Sequence, residues 1–151
     1  MPGYGQLQDI LGYQFSNPML LDESTVVGGM TFKNTPGGRE IPHGNKTLAL
    51  IGDSLIRLDV ATRAHISGVG KSSIYLAKIG SNKSLEELGR RLGLDKFVLT
   101  HPPQDGHVSR ITLASTVEAL IGAVWVDLSY DYATVQSVIQ ALNIVHPLRG
   151  E

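Results

Sequence analysis

The chain has 151 residues, 42% hydrophobic and 18% charged, with no cysteine and a formal net charge of −1. That length suits one globular domain with a single core, and the composition excludes disulfides, thiolate metal sites and an affinity for nucleic acid that rests on a broad basic surface. No apolar run approaches the roughly 20 residues needed to cross a bilayer, and no secretory signal is visible. The expectation is therefore an intracellular protein without membrane contact, with cytoplasm, nucleus and mitochondrion left open.

The elements read as helices in chain order. A short helix near residues 7–11 stops at Gly12, and Asn17-Pro18 opens a second carrying Met19, Leu20 and Leu21. Residues 28–44 are rich in Gly, Pro, Asn and Thr and read as a long loop. Asn45 is placed to cap a long helix reaching about residue 65. After a loop at 67–70, the pattern predicts a helix over 71–79, a break at Gly80-Ser81-Asn82, and a new helix opened by a Ser84/Glu87 capping box and stopped by Gly93. A Pro-rich loop precedes a strongly apolar helix over 110–127, and an amphipathic helix over 131–142 follows. No alternating strand pattern competes, so the fold class is all-α.

Two acids stand beside apolar stripes. Asp53 accompanies Leu48, Ile51, Leu55 and Leu58; Glu118 accompanies Leu113, Val117, Leu120 and Val124. A carboxylate beside apolar surface loses solvation and tends to be paired, protonated or bound to a cation. Ala49, Asp53 and Arg57 share one helix stripe, and Ser115 and Glu118 share another. If the two helices pack side by side, Asp53 and Glu118 face each other and offer oxygen ligands to a hard cation such as Mg2+. The same spacing also allows Asp53 simply to pair with Arg57, leaving Glu118 a half-exposed helix residue. Basic residues gather at 71–83 and 90–96, the second set interleaved with acids like an ordinary solvated face.

Four ordered segments carry a resemblance. GNKTLALIGDSLI resembles the ribonuclease III signature, usually of the form NERLEFLGDSVL, and ASTVEALIGAVWVD resembles that family's second acidic helix, typically ADTFEALIGAIYLD. LGYQFSNPMLL and GSNKSLEELGRRLGLDKFV, the latter similar to VSNESLARIARELGLDKYL, match in the right order, so the resemblance spans about residues 7–128. It implies an all-helical endonuclease domain, a homodimer formed through the signature helix, and double-stranded RNA bound across the two-fold axis. Each subunit of such a dimer cuts one strand with Mg2+ (Mn2+ being possible) held by four acids. Carried over residue by residue, the signature Glu falls on Ala49 and its Asp on Asp53, while the later Asp falls on Ser115 and its Glu on Glu118. A further signature acid falls on Lys46. Half of the carboxylate set is absent, which lowers the affinity for a dication.

Two readings follow. One is a Mg2+-dependent endoribonuclease, weakened, with Asp53 and Glu118 as surviving catalytic and metal-holding residues and Asp105 and His107 as loop residues able to assist. The other is a catalytically inactive dimeric RNA-binding or scaffold protein, like the degenerate ribonuclease III domains of some mitochondrial ribosomes. The expected RNA contacts are Lys71, Lys78 and Lys83, reading shape and phosphate rather than sequence. The chain is read as one domain over 1–151 without a separate double-stranded-RNA-binding domain, so a partner protein could supply one. The long helix is apolar around much of its circumference, and Leu48, Ile51 and Leu55 are the expected dimer contacts.

Overall fold

The computed structural model describes residues 4–26, 43–68, 70–98 and 109–142, with the backbone alone for 72–81. Six α-helices follow in order: α1 Gly5–Leu11, α2 Met19–Ser24, α3 Lys46–Ser67, α4 Lys71–Arg91, α5 Arg110–Asp127 and α6 Tyr132–Ala141, with a 3-10 turn at Leu94–Lys96. No strand occurs among the described residues, and no helix there is long and apolar enough to cross a membrane.

Helix α5 is the axis of the core. Its residues from Leu113 to Val124 are buried on nearly all sides, because small and branched residues (Ala119, Gly122, Ala123, Val117) let neighbours approach closely. Helix α3 supplies the longest neighbour, turning Leu48, Leu55, Ile56, Val60 and Ala64 inward. Two glycines make the closest contact between them. A Cβ on Gly52 would lie 1.7 Å from the carbonyl oxygen of Glu118, and one on Gly122 would lie 2.1 Å from that of Leu48. The pairing of 48 with 122 and of 52 with 118 makes the helices antiparallel, backbone against backbone. Helix α4 buries Leu85, Leu88 and Gly89, the last packed on Leu113 of α5.

The expected break at Gly80-Ser81-Asn82 does not occur: α4 is a single helix over Lys71–Arg91. Glycine inside a helix costs about 1 kcal/mol relative to alanine, which buried packing by Leu85 and Leu88 outweighs. A Ser84 cap would have required its backbone to leave the helix. Asn45 is also reassigned. It precedes α3, but its side chain makes no cap hydrogen bond; Nδ2 donates to the Ser24 carbonyl at 2.8 Å, and its backbone N–H donates to that of Val26 at 2.7 Å. It ties the end of α2 to the start of α3. Side-chain caps are made by Ser109, which accepts from the Thr112 N–H at 3.1 Å, and by Asp131, which accepts from that of Ala133 at 3.1 Å.

The N-terminal segment is held to α5 by one acid. Asp127 accepts from the Tyr13 hydroxyl, and from the backbone N–H groups of Ser16 and Asn17 at 2.8 Å each.

Candidate functional site

The closest crossing of α3 and α5 determines what stands beside it. Asp53 follows Gly52 in sequence, and Glu118 is the residue whose backbone Gly52 touches, so the two acids flank the seam and line one cleft. The cleft encloses about 1060 Å³. Ala49 and Ser115, where the resemblance expects two further acids, line it as well, and both are half-buried. One turn of sequence in each helix therefore brings four equivalent positions together, two of them carboxylates.

The remaining walls mix neutral residues with four cations and one more acid. Lys46 comes from the first turn of α3 and Arg57 from its middle, Lys83 from α4 and Arg110 from the start of α5. Glu86 is the third acid of the lining. Arg57 Nε lies 2.9 Å from Asp53 Oδ2, the acid-first i,i+4 link that the sequence spacing allowed. Arg110 Nε lies 3.2 Å from Glu86 Oε1, with Arg90 Nε at 3.7 Å from the same oxygen. The Arg57 side chain is 65% exposed, so the link is a screened one, worth roughly 0–1 kcal/mol and easily rearranged.

Among the described residues no group of three or more Asp, Glu or His converges as a metal site. The cleft lining carries three carboxylates and four cationic side chains, and Arg57 and Arg110 are already paired with Asp53 and Glu86, which leaves Lys46 and Lys83 as the cations without an ion pair within the lining. Asp53 and Glu118 are the two carboxylates at the seam, a set that a Mg2+ ion would complete with water and phosphate oxygens.

The other expected residues are placed as follows. Lys83 lines the cleft, whereas Lys71 is exposed at the start of α4 and outside the lining. The side chain of Lys78, and Asp105 and His107, lie outside the described residues. Leu48 and Leu55, expected at a dimer contact, are turned into the subunit's own core, and Ile51 is half-buried against it. The apolar residues that α3 leaves to solvent are Leu50, Leu58 and Ile66, at 65%, 51% and 78% exposure. Sequence reasoning missed Glu86 and Arg110 in the cleft, and it missed Asp59. That acid is fully buried and takes Arg63 Nε at 3.1 Å, an i,i+4 link of the same form as Asp53 to Arg57. Near it the Tyr132 hydroxyl is buried without a hydrogen-bond partner, and burial first, then the Asp59 charge, push its phenol pKa upward. This pair lies near the start of α6, where Tyr132 stands, and is part of the interior rather than of the cleft.

Comparison with known proteins agrees with the architecture. The family model described as Ribonuclease III domain matches residues 46–129. Ribonuclease 3 of Oleidesulfovibrio alaskensis is 32% identical over 134 residues, covering 84% of this chain and 57% of the relative. Ribonuclease 3 of Francisella philomiragia is 31% identical over 144 residues, covering 92% of the chain and 57% of the relative. The chain thus spans little more than half the length of these relatives. A crystal structure of the nuclease domain of ribonuclease III from Campylobacter jejuni superposes with a TM-score of 0.73 at 21% identity, covering 95% of each chain. A second structure of that domain, described for flexibility in a region involved in dimer formation, also gives 0.73, at 18% identity over 93% of this chain and 96% of its own.

Proposed function

Since the chain belongs to the ribonuclease III family, we propose that it is a ribonuclease III-type domain that binds double-stranded RNA at the α3–α5 cleft without efficiently cleaving it. The observation that carries this reading is the cleft lining itself: Asp53 and Glu118 stand with Ala49 and Ser115, not acids, at the seam, among Lys46, Lys83, Arg57, Arg110 and the one further acid Glu86. Such a set favours the phosphate backbone of a duplex, whose recognition rests on shape and charge rather than on bases. A native-gel titration with an RNA duplex, followed by incubation in Mg2+, tests it. Retarded but intact RNA is expected; cut RNA overturns the inactive reading.

One observation favours a second reading. Asp53 and Glu118 remain beside each other at the helix crossing, so slow cleavage dependent on Mg2+ or Mn2+ is the alternative. Cutting by the parent protein that disappears in Glu118→Ala would establish it. The family reading also brings a homodimer. The exposed Leu50, Leu58 and Ile66 of α3 supply an apolar face for it, on which Ser54 and Thr62 turn their hydroxyls back to the carbonyls of Leu50 and Leu58 at 2.8 Å each. Light scattering across a dilution series should report a dimer that Leu58→Lys converts to monomer. A parent protein monomeric at every concentration would contradict this assembly.

A further inference from the structure

The far end of α5, outside the cleft lining, carries a turn more strained than a helix stop requires. Helices α1 and α5 end on the same hydrogen-bond pattern. After α1 the N–H groups of Gly12 and Tyr13 donate to the carbonyls of Asp9 and Gln8 at 3.2 and 3.1 Å; after α5 those of Ser129 and Tyr130 donate to Val126 and Trp125 at 3.3 and 2.9 Å. This stop asks for one left-handed residue, usually glycine, and Gly12 supplies it with a φ of 67°. After α5 two consecutive residues lie in that region, Ser129 at 54° and Tyr130 at 76°, and they are the only non-glycine residues among those described to do so. In each, the Cβ crowds the following carbonyl oxygen, a strain that glycine would avoid.

The strained turn presents an aromatic surface. Trp125 and Tyr130 pack with ring centroids 5.6 Å apart, tilted by 43°. Trp125 is half-buried, whereas Tyr130 is 67% exposed, and Val126 is exposed as well. The surroundings are acidic. Asp127 and Asp131 flank the turn in sequence, and every donor they accept from is neutral: the Tyr13 hydroxyl and the N–H groups of Ser16 and Asn17 on one, the Ala133 N–H and the Thr134 hydroxyl on the other. Helix α5 has no basic residue in its last turn to offset the negative end of its dipole. An exposed ring in such a potential attracts a cation through its quadrupole and the carboxylates together, and it disfavours phosphate. Among protein cations arginine suits it best, because a planar guanidinium stacks on a ring and keeps edge N–H donors for a carboxylate.

We infer that the turn bearing Trp125 and Tyr130 docks an arginine side chain of a partner protein, on a surface separate from the cleft. Trp125 is the one tryptophan of the chain, so its emission reports on this surface directly. The full chain is titrated with a short peptide of alternating glycine and arginine, and with the same peptide carrying uncharged citrulline in place of arginine. The arginine peptide should shift the emission saturably, and the citrulline peptide should not. Tyr130→Phe should keep the affinity. Tyr130→Gly should lower it about twofold to fivefold, the range of an exposed cation–ring contact, while melting no lower than the parent because the strained position is relieved. Asp131→Asn retains an oxygen to cap α6 and removes the charge; it should weaken the peptide at low salt and make less difference at high salt. Equal response to the two peptides, or none to arginine at millimolar concentration, overturns the inference. A Tyr130→Gly protein that melts well below the parent also overturns it, by making the ring a structural prop. So does an emission shift with oligouridine in place of the peptide, which would make the rings a platform for bases.

Discussion

Helix α5 carries two acids in opposite surroundings. Asp127, at its end, accepts from one phenol and two backbone N–H groups, all neutral donors fixed by the chain that leads from α1 to α2. Glu118, at its middle, lines an open cleft with four cationic and two further acidic side chains. Neutral donors on a fixed backbone use a carboxylate to hold the fold together. Long cationic side chains give up water and salt links cheaply, so a carboxylate among them tunes the charge of a surface that a ligand can reach. The same residue type is a structural tie in one place and a regulator of local potential in the other, and its neighbours decide which.

Several substitutions probe that contrast. The greatest effect belongs to the seam that positions Glu118: Gly52→Ala places a methyl group 1.7 Å from a backbone oxygen that cannot rotate away. Destabilisation of at least about 3 kcal/mol is expected in urea denaturation, the upper range for overpacking. Asp127→Ala comes next. It orphans three donors and should lower stability by roughly 2–3 kcal/mol while leaving duplex affinity where it was. Glu118→Gln should do the reverse. Stability should change by less than about 0.5 kcal/mol, and removal of one negative charge near a phosphate, worth about 1 kcal/mol, should tighten duplex binding about fivefold. If Asp127→Ala altered binding or Glu118→Gln altered stability, the division of labour along α5 would be wrong. The smallest effect concerns alkaline pH. Burial first, and the Asp127 contact second, hold the Tyr13 phenol protonated above its ordinary value of 10. The unfolded chain ionises at that ordinary value, so above it unfolding releases a proton and stability falls as pH rises toward the folded-state value. Thermal melts should show that decline flattened in Tyr13→Phe.

Much of this organisation is written locally in the chain. The stop at Gly12, the bounds of α5 and the i,i+4 link of Asp53 to Arg57 depend on residues within one or two turns of each other, and spacing reveals them. Gly80-Ser81-Asn82 misleads for the same reason: the local signal is for a break, and the deciding force is burial of Leu85 and Leu88 against a helix distant in sequence. Leu48 and Leu55 show a further limit. Periodicity identifies an apolar face without saying whether it meets the subunit's own core or a second copy, and here it meets the core. Gly52 and Gly122 are invisible for a related reason, since each reads as an ordinary weak helix position until its partner helix is known. The carboxylates of the site were visible from their stripes; Glu86 and Arg110, brought by other elements, were not.

The uninterrupted course of α4 has a consequence for selectivity. Two hinged segments would let Lys71 and Lys83 settle independently on whatever they met. On a single rod their separation along the axis is set by helix rise at about 18 Å. Spacing thereby becomes a property of the protein: the two lysines start from backbone positions a fixed distance apart, and twelve residues of helix also turn them about 120° from each other, onto different faces.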